Sequence, residues 1–192
     1  LDAAGDILAL GSFVLNINFG IATFNSVGGT IDIFLAKISP SGNPIWVKQF
    51  GGHGIDRAYG LATDAFSNSY FGGSFRSTLD FDPNLAVHNV TPIGSSDAFL
   101  CKMDNNGNLD WVKNFGAVGA WSEVNSVAKT TIGNPYISGY FIDSIDFDPG
   151  IGTQMLQSAG SLEAFVAKYD MNGDFVWANG FGGDSVDIVE KI

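Results

Sequence analysis

Apolar and polar residues alternate with a period of two along most of the chain. From Asp97 to Met103, Phe99, Cys101 and Met103 fall on one face, and Leu100 and Lys102 on the other. That spacing predicts a β-strand. Asp104-Asn105-Asn106-Gly107-Asn108 follows, a hairpin connection whose glycine supplies a positive φ. Leu109 to Phe115 is the predicted return strand. Residues 57–63 and 69–75 form a second predicted hairpin around Asp64-Ala65-Phe66-Ser67-Asn68. The long connection 76–96 alternates in two short stretches and predicts a small extra hairpin. No segment carries a convincing helical period of apolar residues.

The pattern is repeated. Residues 32–52, 97–117 and 163–183 align without a gap. Phe34, Lys37, Gly42, Trp46, Phe50 and Gly51 recur as Phe99, Lys102, Gly107, Trp111, Phe115 and Gly116. They recur again as Phe165, Lys168, Gly173, Trp177, Phe181 and Gly182. Residues 64–75 match 2–13 and, more loosely, 130–141. The LDFDP of 79–83 matches IDFDP at 145–149 and, weakened, LNINF at 15–19. Unit one is thereby read with Asn16 and Asn18 at the two Asp positions. Unit three has Thr130 at the turn Asp, and Ser122 in place of Asp56 and Asp187.

Four long strands in a unit of about 65 residues fit one blade of a propeller. The predicted fold is all-β, with about three consecutive four-stranded antiparallel blades forming a partial β-propeller. Residues 1–52 are blade one without its first strand, 53–117 blade two, 118–183 blade three, and 184–192 the first strand of a fourth. Three blades do not close a ring, since propellers have about four to eight. The expectation is an excerpt of a longer chain, or, less favoured, a chain that completes its ring with another copy. In either case further blades or a homo-oligomer are the expected partners.

The run D-A-F-x-x-K-x-D-x-x-G-N-x-x-W-x-x-x-F-G-G, followed by the second hairpin and D-F-D-P, resembles the SBBP-type β-propeller repeats of bacterial surface and secreted proteins. The resemblance covers essentially the whole chain. It implies a propeller fold and a secreted or cell-surface setting, and it specifies no molecular activity.

Composition sharpens this picture. Of the 192 residues 25 are Gly and 16 Phe, and only 15% are charged, which suits many strands and tight turns. Nine basic residues stand against 20 acidic ones, for a net charge of −11. A nucleic acid or an anionic lipid surface needs clustered Lys and Arg and is disfavoured. Cys101 is the single cysteine, so neither an intrachain disulfide nor a thiolate zinc site can form. No run of 18 apolar residues predicts membrane insertion.

Candidate chemistry is sparse. Asp80 with Asp82, and Asp146 with Asp148, place paired carboxylates about 7 Å apart along a strand. Such pairs can hold Ca²⁺, the one cofactor the pattern admits. The preferred reading is an Asp-Pro turn with Phe81 or Phe147 packed inward. Trp46, Trp111 and Trp177 are read as packing between blades. Trp121 stands outside the repeat, beside a blade-linking loop, and is the candidate exposed contact. Lys37, Lys102 and Lys168 are read as partners of Asp32, Asp97 or Glu163, or as guards of a sheet edge. Cys101 is read as a small buried residue.

The expected function is therefore a non-catalytic binding or scaffold module whose blade loops contact a protein or glycan. A glycan-active lyase or hydrolase is the alternative, and only His53, Arg57, Arg76 and His88 break the repeat suitably for it. A calcium-stabilised spacer is the third reading.

Overall fold

The computed structural model describes residues 1–130 and 132–192. Blade one contributes β1 (Ile7–Val14), β2 (Asn16–Asn18), β3 (Thr23–Asn25), β4 (Ile31–Ile38) and β5 (Pro44–Phe50). Blade two contributes β6 (Arg57–Thr63), β7 (Ser69–Phe75), β8 (Leu79–Asp80), β9 (Asn89–Val90), β10 (Asp97–Met103) and β11 (Leu109–Phe115). Blade three contributes β12 (Trp121–Lys129), β13 (Pro135–Ile142), β14 (Ser144–Asp146), β15 (Met155–Gln157), β16 (Glu163–Tyr169) and β17 (Phe175–Phe181). The long strands form antiparallel sheets ordered β1-β4-β5, β6-β7-β10-β11 and β12-β13-β16-β17. The small hairpins β2–β3, β8–β9 and β14–β15 sit outside them. Residues 184–192 carry no strand, contrary to expectation. In blades two and three the first strand is laddered by the second, and no second strand lies beside this segment among the described residues.

The cores lie between the sheets. Phe99, Cys101 and Met103 pack with Ile33, Leu35 and Phe50 of blade one. On the other face of the same strand, Ala98 and Leu100 pack with Val124, Ile137 and Phe165 of blade three. Period-two alternation thus serves two interfaces, and every residue of β7 and β10 is buried. The first strands approach closely: a Cβ on Gly60 in β6 would collide with the Val127 backbone nitrogen in β12.

Each recurring residue has a packing reason. Trp46 Nε1 donates to Asn105 O of the next blade at 3.2 Å, and Trp111 Nε1 to Met171 O at 3.2 Å. Beneath these indoles, Gly107 and Gly173 have φ of +73° and +79°. A Cβ on Gly173 would lie 3.1 Å from Trp111 Cδ2 and 2.8 Å from Lys113 Cε. The hairpin glycine is therefore required both by φ and by the neighbouring blade.

The repeated lysines pair differently from expectation. Lys37 Nζ is bound by Asp2 at 2.7 Å, Asp6 at 3.3 Å and Asn105 of the next blade. Lys102 Nζ meets Asp110 at 2.7 Å and reaches Met171 O. Asp32, Asp97 and Glu163 instead accept N–H groups from the loops before their strands, at Val27, at Ile93 and Gly94, and at Ala159. Strand alternation turns these acids toward the loop and away from the lysine's surroundings. Gly51 and Gly116 recur because a Cβ there would overlap the carboxylates of Asp32 and Asp97.

Candidate functional site

The paired acids organise the outer hairpins. Asp80 Oδ1 accepts from Asp82 N at 3.0 Å and His88 N at 2.8 Å. Asp146 Oδ1 accepts from Asp148 N at 3.0 Å and Gln154 N at 2.8 Å. Asp82 and Asp148 each accept from the backbone two residues on, at Asn84 and Gly150. These are side-chain-to-backbone turn bonds. Among the described residues no group of three or more His, Cys, Asp or Glu is placed to hold a metal ion.

Blade one corrects the sequence alignment here. Phe19 N bonds Ala22 O, as Phe81 N bonds His88 O and Phe147 N bonds Gln154 O. Asn18, not Asn16, therefore stands at the position of Asp80 and Asp146, and its Oδ1 accepts from Gly20 N. Gly20 holds the position of Asp82 and Asp148. A slip of two residues leaves every side chain on its expected face, so alternation alone could not reveal it.

Trp121 opens β12 and is half-buried. Its ring meets Tyr140 edge-on, with centroids 5.5 Å apart. Neither Trp121 Nε1 nor Ser96 Oγ has a hydrogen-bond partner, and both atoms are buried. With Ser95 and Arg76 they line a pocket of about 230 Å³. Arg76 is exposed, and its guanidinium makes no hydrogen bond or ion pair among the described residues. Its backbone N–H is anchored on Asp56.

Beside this pocket, Glu123 accepts from Ser74 Oγ at 2.9 Å and Tyr140 OH at 2.7 Å. The first bond joins blade two to blade three. Both carboxylate oxygens are engaged, so Glu123 is held as an acceptor. Burial, then the Glu123 hydrogen bond, raises the Tyr140 phenol, which stays a donor. Burial and the Glu123 charge also raise Tyr59, which is 48% exposed on β6.

These residues break the repeat. Arg57 pairs with Ser74 across β6–β7, and Glu123 pairs with Tyr140 across β12–β13. Glu123 thus holds Arg57's place, and Tyr140 holds Ser74's. Of the four candidates for the alternative reading, Arg57 and Arg76 lie near this end of the inner strands. His53 is exposed on the loop before β6, against Gly28 of blade one, and His88 is exposed on the outer hairpin. Sequence reading missed Tyr59, Ser95, Ser96, Glu123 and Tyr140. Comparing the copies position by position would have flagged Tyr59, Glu123 and Tyr140. Cys101 is wholly buried.

The three stacked antiparallel sheets with their inter-sheet cores are propeller blades. Residues 45–74 match the family model described as SBBP: Beta-propeller repeat. The matched SBBP segment runs from β5 of one blade through β7 of the next, and so contains the blade junction. The chain is also similar to an uncharacterized WD repeat-containing protein of Acanthamoeba polyphaga mimivirus. The two are 26% identical over 81% of this chain and 13% of the viral protein. The chain therefore spans about an eighth of the curated relative it matches.

Proposed function

We propose that the chain is part of a non-catalytic binding module, exposed on a cell surface or secreted, that contacts a protein or glycan through the loop end of its inner strands. One observation carries this. The residues that recur in all copies are used in turns and inter-blade packing, whereas Arg57, Tyr59, Arg76, Trp121, Glu123 and Tyr140 differ between copies and gather at one end. Repetition builds the frame, and divergence builds a surface. The SBBP match and the WD repeat relative support a repeat scaffold. The secreted setting rests on the resemblance to surface-protein repeats.

Arrays of immobilised glycans and peptides test the proposal. The wild-type chain is expected to bind a defined subset, and the Arg57→Ala/Tyr59→Ala double variant is expected to lose it while keeping its circular dichroism spectrum. Turnover of a glycan that disappears with Glu123→Gln would replace this reading with the enzymatic one.

The ring-completing partner is proposed from blade three. Phe50 and Phe115 are 1% and 0% exposed, while Phe181 at the same repeat position is 54% exposed. A further blade, from a longer chain or a second copy, fits that face.

A further inference from the structure

We infer that residues 187–192 supply the innermost strand of blade one in a second copy, so that two copies close one ring; the inference rests on the ring-completing reading above. Blade one has three long strands, in the order β1-β4-β5, whereas blades two and three have four. Among the described residues β1 therefore shows an unpaired edge at the place where β6 pairs with β7 and β12 with β13. Segment 187–192 is the converse. Asp187 N bonds Leu162 O, as Asp56 N bonds Ile31 O and Ser122 N bonds Ser96 O. Gly183 N bonds the Asp187 carboxylate, as Gly52 N bonds that of Asp56. Ile192 N reaches Ser126 Oγ in β12 at 3.2 Å. The segment thus holds the place of a first strand beside blade three, with no second strand to pair among the described residues. An edge without a strand and a strand without an edge meet by strand addition between copies.

The repeat fixes the register. Arg57 pairs with Ser74, and Leu61 with Phe71, which sets Ile188 opposite Ser12 and Ile192 opposite Ala9 of the other copy. The seam agrees with this docking. Phe50 lies 6.5 Å from Phe81 of the next blade, and Phe115 lies 6.0 Å from Phe147, ring centre to ring centre. Phe181 is exposed, and blade one offers it Phe19, which packs on Phe34 as Phe81 packs on Phe99. The hairpin seat is open as well. A Cβ on Gly42 would meet nothing within 4 Å, whereas Gly107 and Gly173 lie against an indole of the preceding blade. Pro40 stands where Asn105 and Met171 stand in the other units, and it keeps the carbonyl that a tryptophan of the preceding blade needs. Head-to-tail contacts make a ring when the rotation closes. Two copies supply six blades, within the range of about four to eight found in propellers.

Two single-cysteine chains, mixed and mildly oxidised, test the inference. Both carry Cys101→Ala, the residue of the other two units at that position. One adds Ser12→Cys and the other Ile188→Cys, both at exposed positions. The mixture is expected to form a disulfide-linked pair of chains. Val189→Cys, on the opposite face of the added strand, is expected to link to Ser12→Cys at least tenfold more slowly. Sedimentation of the wild-type chain is expected to reach two copies and stop there. Equal linking by the two tail cysteines, or none by either, overturns the strand exchange. A dimer that does not link leaves a second copy on the Phe181 face and removes only this inference. A chain that stays monomeric removes the second copy itself, and assemblies larger than two remove the closed ring.

Discussion

Asp56 is wholly buried and accepts hydrogen bonds only from the backbone of Gly52 and Arg76. Burial pushes its carboxyl up to about 6, against those two bonds and helped by the Asp32 charge. Between the usual carboxylate range and 6 the folded chain holds a proton that the unfolded chain has lost. Stability therefore falls as pH rises through about 4 to 6, and stays lower above it. The effect is on the order of 2–3 kcal/mol. Urea unfolding at pH 5 and pH 7 is expected to show greater stability at pH 5, and Asp56→Asn to remove most of that difference. An unchanged slope in the variant would show that Asp56 does not titrate in this window. Gly116→Ala is a second expectation at this scale. Its Cβ would overlap the Asp97 carboxylate, so a loss of about 2–3 kcal/mol is expected in the same assay. The recurrence of this glycine was legible in the sequence. Its reason was not, because the acid it accommodates lies 19 positions earlier in the chain.

The outer hairpins show what alternation conveys and what it omits. The sequence placed an extra hairpin in the connection 76–96, and β8–β9 is there; β2–β3 and β14–β15 stand at the matching places in blades one and three. It placed blade one's copy two residues out of register, because a period of two is blind to such a slip. The same hairpins separate the turn reading from the calcium reading. Asp146 works through one oxygen that accepts two backbone N–H groups, and an amide oxygen can take the first of these bonds, as Asn18 does from Gly20 N in blade one. Asp146→Asn is expected to cost less than about 1 kcal/mol, and Asp146→Ala about 1–3 kcal/mol. EDTA is expected to leave the melting temperature unchanged; a drop of several degrees would establish the calcium reading instead.

Across the whole molecule, stability is carried between blades, and the indoles provide a paired test. Trp111 donates to Met171 O in the next blade, whereas Trp177 at the same repeat position is 36% exposed. Trp111→Phe is expected to destabilise by about 1 kcal/mol, and Trp177→Phe to have almost no effect in this chain. Sedimentation velocity is expected to show mass rising with concentration, and Phe181→Asp to suppress it; a wild-type chain that stays monomeric throughout would count against a second copy on this face. The architecture was legible because one blade is written three times. The site was not, because repetition draws the eye to what is constant, and Arg57, Tyr59, Arg76, Trp121, Glu123 and Tyr140 differ between the copies.

Cys101 gives this stack a built-in clock. Its thiol is sealed between blades one and two, and burial holds it well above its ordinary ionisation range. A thiol reagent can reach it only when those two blades part. The labelling rate would then time the opening of one seam, without unfolding the rest.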